Sequence, residues 1–511
     1  MPPKRQASSN VSPTLAKMEA RGGRPAGPSG PSLISKLSTE FVGTALLTLT
    51  VGAAAGQGSK LAAVGIGSTL MCAVYAGAHI SGANYNPAVT LAIFVRGKLG
   101  FMEAILYMLT QLFGGFAGGC AALVLEPGWV AGSSSSWWPQ SASDVGIGYP
   151  AIGSGVSTYS AICAEAIVTF ALCHTVLHVA TNSVQDGNSY YGLAIGFIVL
   201  SGAVSVGGVS GGAFNPAVAM LSFARLVDAA SLSAGPRAEL SRFAEAMASS
   251  VWVHFAGPLA GGLLAGLLFR LTHPSQCGDV SAVCRVPRER LAPYVIEAVG
   301  TMLLCFTVAT AAAPSNATGL APLAIGSMLM SQVYTGGSTS GAHYNPAVTV
   351  AVMLRRALAP WETRLLVPPL VALAYICSQL CGALLGGVLG AQVVATIGFP
   401  SPPPSVSPRL ACAAEALATF FLCLVVLQTA TVAKLADKQY FGLAIGYTVT
   451  AMAVAVGGVS GAALNPAVGI LGGLRWYYFA GPLFGAVAAA LAFRVVAATE
   501  FESPDASRGM V

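Results

Sequence analysis

The sequence predicts an all-α membrane protein built from two similar units, each with six transmembrane helices and two re-entrant half-helices in an inverted repeat. Three observations lead to this fold class. The 511 residues are 55% hydrophobic and only 9% charged, the second half of the chain repeats motifs of the first half, and the triplet Asn-Pro-Ala occurs four times.

The composition places the chain in a lipid bilayer. About a quarter of the residues of soluble proteins are charged, whereas this chain has a mean hydropathy of +0.71. Twelve of its stretches approach the roughly 20 apolar residues that a helix needs to cross the hydrocarbon core. Membrane lipid is therefore the expected environment, and the net charge of +6 requires no nucleic-acid partner.

The distribution of Lys and Arg predicts the orientation in the membrane. With a cytoplasmic amino terminus, 19 of the 25 basic residues fall on the cytoplasmic side, as the positive-inside rule requires. Both termini are then cytoplasmic, and residues 126–158 form an outer loop. The sequon Asn316-Ala317-Thr318 also falls outside, close to the membrane. The sequence leaves open whether this membrane is the plasma membrane or that of a vacuole-like organelle.

Self-comparison shows a duplication. Ala-Asn-Tyr-Asn-Pro-Ala-Val-Thr at 83–90 returns as Ala-His-Tyr-Asn-Pro-Ala-Val-Thr at 342–349, and Val-Gly-Gly-Val-Ser-Gly at 206–211 returns at 456–461. Within each copy, three spans belong to each half, so the two halves enter the membrane from opposite faces. The predicted divisions are a disordered cytoplasmic tail (1–36), unit 1 (37–270), a cytoplasmic linker (271–292), unit 2 (293–496) and a cytoplasmic tail (497–511).

Each Asn-Pro-Ala triplet is predicted to begin a short helix. Asn is a favoured N-cap, Pro suits the first helical position, and the residue before a Pro avoids the helical conformation. An arginine follows ten residues after every Asn, which gives a helix of about 15 Å, half of the roughly 30 Å hydrocarbon core. The triplets are Asn86-Pro87-Ala88, Asn215-Pro216-Ala217, Asn345-Pro346-Ala347 and Asn465-Pro466-Ala467.

The two half-helices of a unit are expected to meet N-terminus to N-terminus at the bilayer midplane. Their positive dipole ends repel cations, and the two Asn amides donate hydrogen bonds to a passing water, which interrupts the file along which protons move. The pattern therefore predicts a pore for water and small neutral solutes. The alternative is that the triplets only cap four buried helices, but a cap alone requires neither half-membrane length nor inverted pairing.

These residues resemble the aquaporin family, also called major intrinsic proteins, over most of the chain. Within the family, the segments 194–199, 212–219 and 251–262 are most similar to the tonoplast intrinsic proteins. The resemblance implies that membrane-embedded glutamates and glutamines brace the re-entrant loops. A proton relay is the alternative use, although no further intramembrane acid or base is spaced to continue it. The bracing residues are Glu40, Glu165, Glu297, Glu415, Gln111 and Gln379.

The resemblance also locates a selectivity filter at four positions in each unit. Water-selective members of the family use Phe, His, a small residue and Arg there, whereas this chain has only small or aliphatic residues. A wide apolar filter predicts passage of urea, ammonia, hydrogen peroxide and glycerol in addition to water, with ions and protons excluded. The filter residues are Ile66, Ala203, Gly212 and Val218 in unit 1, and Ile325, Ala453, Ala462 and Val468 in unit 2.

Two other classes of membrane protein remain open. A twelve-span secondary transporter also uses inverted repeats and broken helices, and a non-conducting structural protein could carry the same fold. Since no cluster of nucleophiles, bases or metal ligands is present, the sequence predicts neither an enzyme nor a metal or cofactor site. Family members assemble as tetramers of single units, so the resemblance implies a homo-oligomer in which two chains supply four pores.

Overall fold

The computed structural model describes residues 30–56, 58–125, 148–231, 248, 250–277, 282–316, 318–358, 367–432 and 435–501. Most of the predicted tails, residues 126–147 of the predicted outer loop and part of the linker lie outside these ranges. The described residues form helices and no β-strand. This confirms the predicted fold class.

Sixteen α-helices lie in the described ranges, eight in each unit. Those of unit 1 are α1 (Leu33–Gly56), α2 (Ala62–Ser81), α3 (Pro87–Arg96), α4 (Phe101–Val124), α5 (Thr158–Thr181), α6 (Tyr191–Ser210), α7 (Met220–Ser231) and α8 (Val253–Thr272). Those of unit 2 are α9 (Ala282–Ala311), α10 (Ala321–Ser340), α11 (Pro346–Leu358), α12 (Pro369–Val393), α13 (Pro408–Ala430), α14 (Phe441–Ser460), α15 (Pro466–Gly469) and α16 (Tyr477–Val496).

Twelve of the described helices have 20 or more residues, which matches the number of predicted spans. Eleven of them are long and apolar enough to cross a membrane. The twelfth is α10, whose hydropathy is lowered by polar side chains such as Ser331, Gln332 and Thr335. All three are buried, because this face of α10 packs against unit 1 rather than facing lipid.

Two predicted boundaries differ from the helices observed. Helix α1 begins at Leu33, inside the predicted tail, where the hydroxyl of Ser32 accepts a hydrogen bond from the Ser35 amide at 3.1 Å and caps the first turn. Much of the predicted linker 271–292 is helical, since α8 continues to Thr272 and α9 already begins at Ala282.

The helices of each unit pack as an inverted repeat around the Asn-Pro-Ala loops. In unit 1, α1 packs on α4, α5 on α8, and α2 on α6, and the corresponding pairs recur in unit 2. Glycines bring the long helices against the loops. A Cβ at Gly115 of α4 would overlap the carbonyl of Ala217, and one at Gly262 of α8 would overlap that of Ala88.

The two units are joined by a polar contact within the apolar bundle. Helix α10 of unit 2 packs against α5 and α6 of unit 1. The hydroxyl of Ser201 donates to the Ala324 carbonyl at 2.9 Å, and the hydroxyl of Ser331 donates back to the Ala194 carbonyl at 2.9 Å. Side chains on both helices therefore fix how the units face each other.

Candidate functional site

A buried glutamate organises the loop that precedes each Asn-Pro-Ala triplet. The Glu40 carboxylate accepts hydrogen bonds from the amides of Asn84 (3.0 Å) and Tyr85 (2.7 Å). It also accepts from the hydroxyl of Ser81 (2.6 Å) and from the Gln111 side-chain amide (2.8 Å). Four charge-assisted bonds offset the cost of burying this carboxylate in the membrane.

The same arrangement recurs in the other three loops. Glu165 accepts from Ser210, Ala213 and Phe214 at 2.6–3.0 Å. In unit 2, two glutamates have the equivalent partners, and Gln379 takes the place of Gln111. The contacts are those of Glu297 with Ser340, His343, Tyr344 and Gln379, and of Glu415 with Ser460, Ala463 and Leu464.

These carboxylates hold the loop backbone in a strained conformation. Tyr85 and Phe214, directly before the Asn of their triplets, have φ of 52° and 51°. That left-handed conformation is unfavourable for bulky residues and persists only when surrounding contacts enforce it. In both cases the amide of the strained residue donates to the glutamate. The glutamates thus set the direction in which each Asn enters the centre of the unit.

The serines in these loops were missed by the sequence analysis. Each hydroxyl donates to its glutamate and also accepts from a loop amide two residues later, at 3.0–3.2 Å. A signal was available, because a Ser-Gly pair begins five residues before every Asn of the triplets. The serines are Ser81, Ser210, Ser340 and Ser460.

The two Asn side chains of a unit bond across to each other's loops. The Asn86 amide nitrogen donates to the Phe214 carbonyl, and that of Asn215 donates to the Tyr85 carbonyl, both at 2.9 Å. Each Oδ1 accepts from the amide two residues later at 2.8–2.9 Å, which caps helix α3 after Asn86 and a turn after Asn215. A side-chain amide has two N–H donors, so one donor of each Asn is left for the cavity. Asn345 and Asn465 repeat this geometry in unit 2.

The first half-helix of each unit agrees with the prediction. Helix α3 has 10 residues and ends at Arg96, and α11 runs 13 residues, three beyond Arg355. The arginines of these half-helices, Arg96 and Arg355, are both only 1% exposed. Arg96 donates to the Thr181 carbonyl at the end of α5 (2.6 Å), and Arg355 donates to the Thr431 carbonyl after α13 (2.9 Å). Each guanidinium thereby satisfies a carbonyl at a helix C-terminus.

The second half-helix of each unit was wrongly predicted as ten continuous helical residues. In unit 1, a turn over residues 216–219 precedes α7, which begins at Met220 and continues past Arg225. In unit 2, α15 has only 4 residues, and the 3₁₀-helix Ile470–Gly472 ends before Arg475. Glycine has low helix propensity, and the chain has three glycines in this stretch, at positions 469, 472 and 473.

A cavity runs past the paired Asn residues in each unit. The unit 1 cavity has a volume of about 360 Å³ and the unit 2 cavity about 630 Å³. All four predicted filter residues of unit 2 line its cavity, whereas three of the four do so in unit 1. Ala203 instead packs with the apolar cluster around Val206 and Phe214. The filter residues that line the cavities are Ile66, Gly212, Val218, Ile325, Ala453, Ala462 and Val468.

Fold and site together define a multi-pass helical membrane protein with two pore-like units. The chain matches the family described as major intrinsic protein over residues 27–269 and again over 288–493. It therefore belongs to this family, the aquaporin-type channels for water and small solutes, and carries the family's domain twice.

Named relatives are similar to half of the chain. It is 32% identical over 247 residues to the probable aquaporin TIP2-2 of Oryza sativa subsp. japonica, covering 47% of this chain and 84% of that protein. It is 30% identical over 269 residues to aquaporin TIP1-1 of Arabidopsis thaliana, covering 49% of this chain and 91% of that protein. The chain is thus about twice as long as these relatives.

Among solved structures, the chain is similar to the X-ray structure of the aquaglyceroporin from Plasmodium falciparum. The sequence identity is 22% and the TM-score 0.40, and the likeness covers 48% of this chain and 99% of that one. Within the part of this chain that the structure describes, no three His, Cys, Asp or Glu side chains are grouped as a metal ion would need.

Proposed function

We propose that each unit is a passive channel for water and small neutral solutes that excludes ions and protons. The observation that carries the proposal is the pair of Asn amides beside each cavity, each with one N–H bonded across the unit and one left over. The aquaporin names of the relatives support the same activity. Since two such pairs are present, both units are assigned a pore.

The geometry supports a mechanism in which the Asn pair reorients each passing molecule. The oxygen of a water at the midplane accepts from both Asn amides, so its own hydrogens point away along the pore. It then has no free lone pair for a proton arriving from either side. Backbone N–H groups at the starts of the half-helices add a positive potential that opposes cations.

Stopped-flow measurements on proteoliposomes test the channel. The full chain is expected to raise water permeability with a low activation energy and without dependence on an ion gradient. Saturable flux coupled to an ion gradient would instead indicate a secondary transporter. Asn86→Trp combined with Asn345→Trp should remove the activity, whereas Leu264→Trp on the exposed face of α8 should not. Retained permeability in the double variant would contradict both pores and favour a structural protein.

The apolar filter extends the proposal to solutes larger than water. Val218 and Val468 line the two cavities at positions where water-selective relatives carry an arginine. Without that cation and its donors, urea, ammonia, hydrogen peroxide and glycerol are expected to pass. Swelling assays with these four solutes test the prediction, and water flux with no permeability to any of them would contradict it.

Without the filter arginine, charge exclusion depends on the half-helix dipoles and the four Asn side chains. Vesicles loaded with a pH-sensitive dye should show no proton flux above that of empty vesicles when a proton gradient is applied. A proton or cation leak that disappears in Asn86→Trp with Asn345→Trp would show that these groups are insufficient barriers.

We also propose that two chains assemble into a ring of four pores. Within one chain, α5 and α6 of unit 1 contact α9, α10 and α12 of unit 2. A second chain that repeats this contact would place its α1 and α2 against α13 and α14 of the first, and closure needs only two copies. Native mass measurement should give two chains, while one chain or four chains would contradict the ring.

The TIP-type relatives favour a vacuolar membrane, and the basic residues favour cytoplasmic termini. A fluorescent tag at either terminus tests both points. We expect vacuolar-membrane fluorescence, and cytoplasmic protease should remove the tag from intact organelles. Plasma-membrane labelling or a protected tag would contradict the respective part.

A further inference from the structure

The two pores have nearly the same lining at the centre and different linings at one mouth. Residues 250 positions apart are equivalent in the second halves of the units. At the centre, Leu172, Val176 and Ile195 of pore 1 correspond to Leu422, Val426 and Ile445 of pore 2, and all six line the cavities. A difference in solute preference must therefore come from elsewhere along the pores.

The differences lie at the mouth on the membrane face where α5 ends and α6 begins. Pore 1 is lined there by Gln185, Asp186 and Asn188. Their counterparts in pore 2 are Leu435, Ala436 and Lys438, which line the larger cavity. Pore 1 thus has polar side chains at these three positions, while pore 2 has two aliphatic side chains and one cationic donor. One turn deeper the difference is reversed, because Thr429 lines pore 2 where Val179 lines pore 1.

The Asp186 and Asn188 side chains differ in how they meet the cavity of pore 1. The Nδ2 of Asn188 donates to the carbonyls of Val179 (2.7 Å) and Gln185 (2.8 Å), and its Oδ1 is closed off from water. Asp186 lines the cavity and is exposed, so its carboxylate can accept an N–H or O–H from a solute at this point. Ala436 and Lys438, their counterparts in pore 2, have no side-chain acceptor.

The aliphatic mouth of pore 2 favours different solutes. A solute loses part of its hydration as it enters a pore. Transfer of an alkyl group from water is favourable when the new surroundings are apolar. Val432 and Leu435 provide such surroundings, and their counterparts are Asn182 and Gln185 in unit 1. At the filter, unit 2 has Ala462 where unit 1 has Gly212, so this side-chain difference does not favour the larger solute in pore 2.

We infer that the two pores of one chain divide solutes by the chemistry of this mouth. Pore 1 favours small solutes rich in N–H and O–H donors, such as urea. Pore 2 favours neutral solutes that carry alkyl groups, such as 1,3-dimethylurea. The inference rests on the proposed channel function and adds to it a separate substrate class for each pore.

Closing one pore at a time in the full-length chain tests the inference. Val218→Trp closes pore 1 and Val468→Trp closes pore 2, since both side chains line their cavities. The measured quantity is the ratio of 1,3-dimethylurea to urea permeability in proteoliposomes. Two methyl groups correspond to about a tenfold change in partition, so the ratio should be about tenfold higher for Val218→Trp. Equal ratios, or a higher ratio for Val468→Trp, would overturn the inference.

A mouth variant provides a second test that leaves the loop core intact. Leu435→Gln, Ala436→Asp and Lys438→Asn together give pore 2 the side chains of pore 1, at positions that are partly or fully exposed. In the Val218→Trp chain, these changes should lower the ratio towards that of Val468→Trp. In the otherwise unchanged chain, they should lower 1,3-dimethylurea flux relative to urea. An unchanged ratio in either chain would contradict the inference.

The chain with both Val218→Trp and Val468→Trp separates the two levels of failure. If the unmodified chain conducts water no faster than this variant, the proposed channel function fails. If the unmodified chain conducts and the single variants have the same solute ratio, only the division between the pores fails.

Discussion

Helices α6 and α14 occupy equivalent places in the two units, yet one is covered by protein and the other is not. Val204 on α6 is 3% exposed, whereas its counterpart Val454 on α14 is 72% exposed. Helix α10 packs over α6. Helix α14 meets unit 1 through ring contacts of Phe441 with Tyr190 and of Tyr447 with Phe197, and Val454 stays exposed. The loops around the Asn residues have stayed alike in the two copies, while the outer faces have diverged according to what covers them.

Helices α2 and α10 show the same divergence from the other side of the interface. Ser331 and Thr335 of α10 donate hydrogen bonds into unit 1, to the Ala194 carbonyl and to the Thr175 hydroxyl. Their counterparts on α2, 259 residues earlier, are Cys72 and Ala76. Polar side chains are tolerated within a membrane where another helix supplies their partners, so α10 carries them and α2 does not.

The largest effect should come from the part that the two units share. Glu165→Ala and Glu415→Ala each leave three buried donors of a loop without an acceptor. We expect each to cost about 3 kcal/mol of stability and to remove the water permeability of its own pore. Glutamine at either position should cost less, because it retains one acceptor oxygen. Thermal unfolding in detergent and stopped-flow flux measure this, and clearly unequal losses in the two units would contradict their equivalence.

A matched pair at the outer faces should give unequal effects. Val204→Trp overfills the covered interface and should cost about 2 kcal/mol, whereas Val454→Trp should change the stability of one chain by no more than about 0.5 kcal/mol. Thermal unfolding of the detergent-solubilised chains measures both. Native mass of Val454→Trp adds a second readout, since a covering chain should be displaced. Equal destabilisation by both variants would contradict the difference in covering.

Asn316 tests how the interface uses a residue of the predicted sequon. Its Nδ2 donates to the Val204 carbonyl of unit 1 at 2.7 Å, so Asn316→Ala should cost about 1 kcal/mol. Thr318→Ala removes the sequon and retains that bond, and it serves as the control for unfolding experiments. Because the Asn316 side chain is engaged, neither change should alter gel mobility after expression in a secretory pathway. A mobility shift in both variants would show that the residue is glycosylated and contradict its role at the interface.

The smallest effects should come from the reciprocal serines. Ser201→Ala and Ser331→Ala each remove one hydrogen bond between the units, and each should cost about 0.5–1 kcal/mol. Cys72→Ala, at the exposed counterpart of Ser331, should have no measurable effect. Unfolding midpoints compare the three variants, and a Cys72→Ala effect as large as that of Ser331→Ala would remove the distinction between the two faces.

Local sequence patterns predicted the loops better than the helices that follow them. The N-cap by Asn and the start at Pro depend on neighbouring residues, and both are found at Asn86 and Asn465. The predicted helix length of ten residues was wrong after Asn215 and Asn465, because the spacing to an arginine does not measure helix propensity. The role of Glu40 and Glu165 in holding the loops followed from the family resemblance. The serines that bond to these glutamates were not predicted, although a Ser-Gly pair precedes each triplet.

The sequence by itself determined that this is a duplicated, all-helical membrane protein with four Asn-Pro-Ala loops, because hydropathy and repeated motifs are properties of the chain alone. Only the tertiary structure decided which outer faces are covered, that Asn316 bonds to unit 1, and that Arg96 and Arg355 are buried against helix ends. It also decided that Asp186 and Lys438, 252 residues apart in the chain, lie at the mouths of the two pores. These depend on contacts between residues far apart in the chain, which local patterns do not encode.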